Sequence, residues 1–422
     1  MNVCMMVANP ILYDGRVIRH AKTLVEAGHR VTVIGVIGPN DSDGELPSDT
    51  PFAVRRLRRQ RRGLLPQAIW ATTALRQRIA QKLVSALPDS VLGQLAAIAD
   101  LAVATSAVEL TALTIGTSYD VFHGNDLNTL PAVAWAAQLH GTPYLYDAHE
   151  FYIEESPTLT QTEKRARQLC EQRLSQRAFA VLTVNDLLAD ELMQRHQIAR
   201  PVVVRNVPPR FQTTDPLELP VGPTGTLRLL YHGTHIGLRQ PGTDDVLRAM
   251  ARLRNDVQLH LTLRGQISHL EQRELTARVR ELGLMGRVET APPVPGPTAL
   301  LQAAVDQHEE VGLAFHPPLS GNFRLATSSK VYEYQVAGLA VCATDVPGNH
   351  VILDDQAGVF YPFGDDEKLA AVLKELAQDR PRLQRLRHNA HQRGRTEFAW
   401  ESERQRLLAV YDALSKRVER RA

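Results

Sequence analysis

Val3-Cys-Met-Met-Val-Ala8 is followed by a loop over Asn9–Arg16, the stretch Val17–Ala27, and Val31-Thr-Val-Ile-Gly-Val36. How these residues are read decides the fold. Val17, Ile18, Ala21, Leu24 and Val25 recur at helical spacing and form one apolar face, and Gly28 ends the helix. The short apolar runs on either side read as buried strands. A strand, helix and strand this close in the chain require a parallel pair with a right-handed crossover.

The same grammar continues. Asp120–Phe122, Pro143–Tyr146, Val181–Val184 and Val202–Val204 are short apolar runs, with helical stretches at Leu130–Leu139 and Leu187–His196. A doubly wound α/β domain follows. The segment from Val207 to Gly225 carries Pro208, Pro209, Pro216, Pro220, Gly222 and Pro223 and reads as a linker. Beyond it the pattern restarts with a strand Leu227–Tyr231, a loop His232–Gly242, a helix Asp244–Leu253 capped by Thr243, and a strand Val257–Leu263. Val311–Phe315 and Leu339–Thr344 extend the second parallel set, and Leu383–Lys416 is helical. The expected division is a domain over 1–208 and a domain over 209–395. Ligands in such sheets sit at the carboxyl ends of the strands.

With 422 residues the chain is too long for a single core. A composition 44% hydrophobic and 22% charged, with a net charge of +2, gives no global field toward nucleic acid or membrane. Cys4, Cys170 and Cys342 are scattered, without metal or disulfide spacing, which favours a reducing compartment. The first residues lack a basic leader, so a cytoplasmic location is expected. Val91–Thr117 is apolar-rich but holds Asp100 and Glu109, which favours packed helices over a span. No nicotinamide fingerprint, Walker loop or nucleophile elbow is present.

Ser328-Ser-Lys-Val-Tyr-Glu-Tyr-Gln-Val-Ala-Gly338 reads as a helix opened by serines and closed by glycine. Lys330 and Glu333 share its face, and a helix N-terminus with a cation and a carboxylate suits a phosphate and a ribose. The plainer alternative is a surface ion pair. Asp41-Ser-Asp43 lies in a turn-rich polar loop and reads as a solvated turn, so no metal is expected. The arginine-dense run Arg55–Arg62 reads either as a basic patch for anionic lipid head groups (a peripheral contact with the inner face of a membrane) or for an anionic acceptor, or as a solvated strand-and-loop edge. It lacks the interleaved aromatics of a nucleic-acid surface.

The blocks Asp14-Gly-Arg-Val17, Tyr119-Asp-Val-Phe-His-Gly-Asn-Asp-Leu127, Tyr146-Asp-Ala-His-Glu150, Leu182-Thr-Val-Asn185, Val204-Arg-Asn-Val207, Tyr231-His-Gly-Thr234, Leu263-Arg-Gly265 and Lys330 to Gly348, in that order, resemble the GT-B glycosyltransferases, specifically retaining family 4. The resemblance implies two Rossmann-like domains facing across a cleft, the acceptor on the first and a nucleoside-diphosphate-sugar donor on the second. The last segment, 396–422, is implied to pack back on the first domain. It further implies transfer of a hexose to a hydroxyl acceptor (a glycan, glycolipid or small molecule) with retention; no cofactor is expected, and uridine is the base expected. Arg239 and Lys330 are expected at the diphosphate and Glu333 at the ribose, with Gly233, Thr234, Arg264 and Asn322 lining the donor site. Asp126, and second His149, are expected to position the acceptor hydroxyl, with Asp14, Arg16, His123 and Glu150 around them. The family often carries a glutamate where Leu325 stands, and a second histidine where Asn125 stands. Two alternatives follow: a nucleotide-sugar epimerase of the same fold, or a non-catalytic nucleotide-sugar or glycan-binding protein.

Overall fold

The computed structural model describes the chain except residues 13, 39–43, 45, 47–49, 59–78, 80–81, 87–90, 105, 219–224, 295 and 421–422. The Asp41-Ser-Asp43 turn and Arg59–Arg62 of the arginine run therefore lie outside the described residues. Two compact units are formed: Met1–Arg205 together with Arg404–Ala422, and Asn206–Glu403.

The first unit is built on a parallel sheet in the order β3-β2-β1-β4-β5-β6-β7. Its strands are β1 Asn2–Met6, β2 Arg30–Ile37, β3 Ala53–Arg58, β4 Val121–Asn125, β5 Tyr144–Ala148, β6 Ala180–Thr183 and β7 Val202–Val203. The central strands are buried on both faces, as the continuous apolar runs require: Val3, Cys4, Met5, Met6, Val121, Phe122 and Leu145 have no exposed surface. β1 pairs with β2 and with β4, Met5 facing Val33 and His123. The helix Gly15–Glu26 supplies the first crossover. Val91–Ala104 and Ala107–Ala112 form helices. Among the described residues no helix is long and apolar enough to cross a membrane.

The second unit repeats the plan with the order β10-β9-β8-β11-β12-β13. Here β8 is Thr226–His235, β9 Gln258–Gln266, β10 Val288–Ala291, β11 Val311–Ala314, β12 Ala340–Thr344 and β13 Gly358–Tyr361. Leu227, Leu229, Leu261, Leu313 and Cys342 from its strands pack with Val246, Met250 and Leu373 from its helices in one core. β8 runs four residues past the expected Tyr231 end, with a bulge between His232 and His235. Gly242, rather than Thr243, precedes the helix Thr243–Leu253: its φ is 83°, and a Cβ there would lie 2.4 Å from Phe315. The C-terminal tail is two helices, Arg380–Thr396 and Trp400–Glu419.

Candidate functional site

In the first unit the carboxyl ends of β4 and β5 bring a row of charged side chains together. Asp147 is on β5, and its alternation puts it on the same side as residue 149. Arg16, in the first turn of the helix Gly15–Glu26, donates from Nε to Asp147 Oδ2 at 2.9 Å, from one Nη to Asp147 Oδ1 at 2.7 Å, and from the other to the Val204 carbonyl at 2.6 Å. Both side chains are buried. His149 Nε2 lies 3.2 Å from Asp147 Oδ2, and its Nδ1 lies 3.0 Å from Asp126 Oδ1. Asp126, one residue past β4, sits at φ 72° and donates its backbone N–H to the Asp147 carbonyl at 2.9 Å. The side chains of Asp126 and His149 are 21% and 16% exposed, so this end of the row reaches solvent.

The electrostatics follow from the order of charges. Burial opposes the Asp147 carboxylate, but Arg16 and then His149 outweigh it and hold Asp147 well below the carboxylate range. Burial likewise pulls His149 down, and Asp126 and Asp147 together overcome it, raising His149 to about 9. Asp126 is raised by burial, against the pull of His149 and of a hydrogen bond from Tyr152. His20 is held well below its usual value by burial and by Arg16.

Three expected acceptor residues do other work. Arg16 is 3% exposed and committed to Asp147 and Val204, so it is an internal brace and not a substrate ligand. His123 is fully buried, its Nδ1 2.9 Å from the hydroxyl of Tyr411. Asp14 caps the helix Gly15–Glu26, accepting from the Val17 amide at 3.0 Å and from Asn9 Nδ2 at 2.8 Å. Glu150 is partly exposed beside His149. The donor atoms of His20, His123 and Asp147 lie within 4.8 Å of one another, the spacing of a metal site. Arg16 already occupies both oxygens of that carboxylate, so a divalent ion there would face a guanidinium across it.

In the second unit the end of β8, the segment after β11 and the helix Ser329–Val336 converge. The helix ends as its sequence requires, with Gly338 at φ 72° and the Leu339 amide bonded back to the Tyr334 carbonyl at 2.9 Å. Its start differs from expectation: Ser328 is at the cap position but makes no side-chain capping bond. Lys330 and Glu333 interact, and Glu333 Oε2 lies 2.9 Å from His232 Nε2. The Lys330 ammonium is 5.7 Å from the centre of the Tyr231 ring. Burial lowers the Lys330 pKa, with Glu333 opposing. His316, pushed down to about 4 by burial and by Lys330, is neutral. Tyr334 donates to the Leu313 carbonyl at 3.1 Å and accepts from the His232 amide at 3.3 Å, tying helix to sheet. Asn322 is buried in the short helix Gly321–Leu325, capped by Ser320. Gly233 and Thr234 lie on the extended end of β8.

Arg239 and Arg264 do not join this cluster. The Arg239 side chain is 62% exposed, 3.4 Å from Glu274 on the helix His269–Glu281. Arg264 is buried, donating to the Pro292 carbonyl at 3.1 Å and to Gln307 Oε1 at 2.8 Å. Of the expected trio, Lys330 and Glu333 lie with His232 and His316, while Arg239 pairs with Glu274. An arginine in a solvent-facing loop pairs with a nearby surface carboxylate at little gain in stability.

The sequence model of the glycosyl transferase 4-like domain matches residues 16–209, and that of the glycosyl transferases group 1 matches 226–379. The chain belongs to this glycosyltransferase family. No curated protein matches the glycosyltransferase in sequence. Among solved structures it is similar to the sucrose-phosphate synthase of Thermosynechococcus elongatus, at 18% identity and a TM-score of 0.68, covering 99% of each chain. It is similar to a glycosyltransferase of Rickettsia africae, at 13% and 0.66, covering 98% of each. Anabaena HepE, solved with UDP-glucose, matches at 15% and 0.67, covering 98% of this chain and 100% of that one. These likenesses fix the fold: two Rossmann-like domains of the GT-B type.

The sequence reading passed over Asp147, His232, His316 and Tyr152. Asp147 was visible in principle, since strand alternation places 147 and 149 on one side of β5. His232 precedes Gly233 in the block that marks the end of β8.

Proposed function

We propose that this glycosyltransferase moves a hexose from a nucleoside-diphosphate sugar to a hydroxyl acceptor, with retention and without a metal ion. The observation that carries this reading is the cluster at the open start of the helix Ser329–Val336, where Lys330 and Glu333 lie beside the bulged end of β8. A fixed cation at a helix start without a side-chain cap suits a leaving diphosphate, whose negative charge grows as the sugar bond breaks. A carboxylate three residues on can accept from two ribose hydroxyls. Lys330 is assigned to the diphosphate and Glu333 to the ribose. Asn322, Gly233 and Thr234 line the site, and Arg239 is recruited from its exposed loop when the anion binds. The UDP-glucose bound to HepE supports uridine as the base. On the first unit Asp126, held by His149, accepts a hydrogen bond from the acceptor hydroxyl, with Glu150 nearby. The leaving phosphate can itself take the proton.

A thermal-shift screen against UDP, GDP, ADP and TDP sugars tests the donor assignment, because a ligand of the folded state raises the melting temperature. A UDP sugar should give the largest shift, and Lys330→Ala should abolish it. No shift with any of the four, or the same shift in Lys330→Ala, rejects the donor site. Activity lost to a chelator and restored by manganese would reject metal independence.

A further inference from the structure

Each ring nitrogen of His149 faces a carboxylate oxygen, Asp126 on one side and Asp147 on the other. An ionised carboxylate only accepts hydrogen bonds. With a carboxylate oxygen 3.0 Å from one ring nitrogen and 3.2 Å from the other, the charged ring is favoured, because each carboxylate attracts a cation and neither can donate to a neutral ring nitrogen. The row Arg16, Asp147, His149, Asp126 then alternates plus, minus, plus, minus and sums to zero, which is what allows it to be enclosed. The other titratable groups around it are His20 on the helix Gly15–Glu26, Asp14 at that helix's start, His123 on β4, and Tyr152 beyond β5. Burial and Arg16 keep His20 from charging, so it adds no cation beside His149. A protonated ring cannot take a proton from a hydroxyl, so His149 is not a base in this arrangement. Asp147 has no exposed surface and so touches no substrate.

We infer that Asp147, braced by Arg16, is a positioning residue that keeps His149 an imidazolium, and that His149 thereby fixes the Asp126 carboxylate toward the acceptor hydroxyl. This rests on the reading that the Asp126 end of the first unit receives the acceptor. It goes beyond that reading by giving His149 a fixed positive charge and by making a buried carboxylate its source.

The test is titration of the histidine rings by NMR in the full chain, with His149 assigned from its missing signal in His149→Gln. In the wild type His149 should still be protonated at neutral pH and lose its proton well above the ordinary imidazole range. A His149 that is neutral at pH 7 overturns the inference, whatever any variant does. In Asp147→Asn the His149 titration should fall by about one pH unit or more, since one of its two charged partners is gone. An unchanged titration in a folded Asp147→Asn also overturns it. UDP affinity should be the same in both proteins. Where transfer is measured, Asp147→Asn and His149→Gln should each lower kcat/KM for the acceptor about 10-fold, and the double variant should be no worse than either alone. If no nucleotide sugar is used, the functional proposal fails while the titration still decides the role of Asp147.

Discussion

The two units place charge at the carboxyl ends of their parallel sheets in opposite styles. In the first, four groups from a helix, two strand ends and a turn neutralise one another in a row, and only its Asp126 end reaches solvent. In the second, Lys330, Glu333 and His232 stand at partly exposed positions around a helix start that has no side-chain cap. A self-compensated row can be buried and held rigid before any ligand arrives. An uncompensated helix end is suited to a ligand that brings its own negative charge. The difference matches the proposed roles, a neutral acceptor hydroxyl at the first unit and an anionic donor at the second.

The largest effect that could break this comparison is in stability. Arg16→Leu leaves Asp147 buried without its guanidinium and should destabilise the first unit by about 3–5 kcal/mol, read as a shifted urea midpoint. A variant as stable as the wild type would show that the row is not what holds these elements together. Next, Lys330→Ala should lower turnover of a UDP sugar by roughly 100-fold or more, the usual weight of one electrostatic group at a leaving phosphate, with little change in the urea midpoint. Turnover within a few-fold of wild type would remove the contrast. Third, Glu333→Gln should weaken UDP binding by about 10-fold, one charge-assisted hydrogen bond, measured by calorimetry; unaltered affinity would leave Glu333 only as the partner of His232.

The smallest effect is in pH. His149 is raised to about 9, so its contribution to stability is complete below the unfolded value near 6.5 and disappears as pH rises through 9. In the second unit, burial raises Glu309 to about 7, against Thr262 and Arg228, and Glu289 pushes in the same direction as burial. Its contribution is complete below the unfolded value near 4.5 and is lost as pH rises through 7. Melting followed across pH should show two losses, one below neutrality absent in Glu309→Gln and one above it absent in His149→Gln. A single loss, untouched by either variant, would contradict both assignments.

The interior strands were legible because each is a short continuous apolar run ended by a turn. The strands that sequence reading missed or left ambiguous, β3, β10 and β13, are edges of the two sheets. An edge strand has one partner and a wetter face, so Arg55, Arg56 and Arg58 in β3 and Glu289 in β10 are tolerated and the apolar signal fades. Lys330 and Glu333 were legible because helical spacing alone puts them side by side. The partners of Arg16 and Arg264 were not legible, because burial commits them to Asp147 and to Gln307, residues far away in the chain.

The sequence by itself determined two parallel α/β units, because strand and helix periodicities are local and survive being read in one dimension, and the resemblance of its ordered motif blocks pointed to the glycosyltransferase family. Only the tertiary structure decided which charges meet. Arg16 and Asp147 are 131 residues apart in the chain, and nothing in either neighbourhood specifies the other. Their pairing arises when β1 lies beside β4 and β4 beside β5, which brings the helix after β1 over the end of β5. Once enclosed there, an arginine must find a carboxylate, and the cost of burying a lone charge fixes that choice more firmly than any motif.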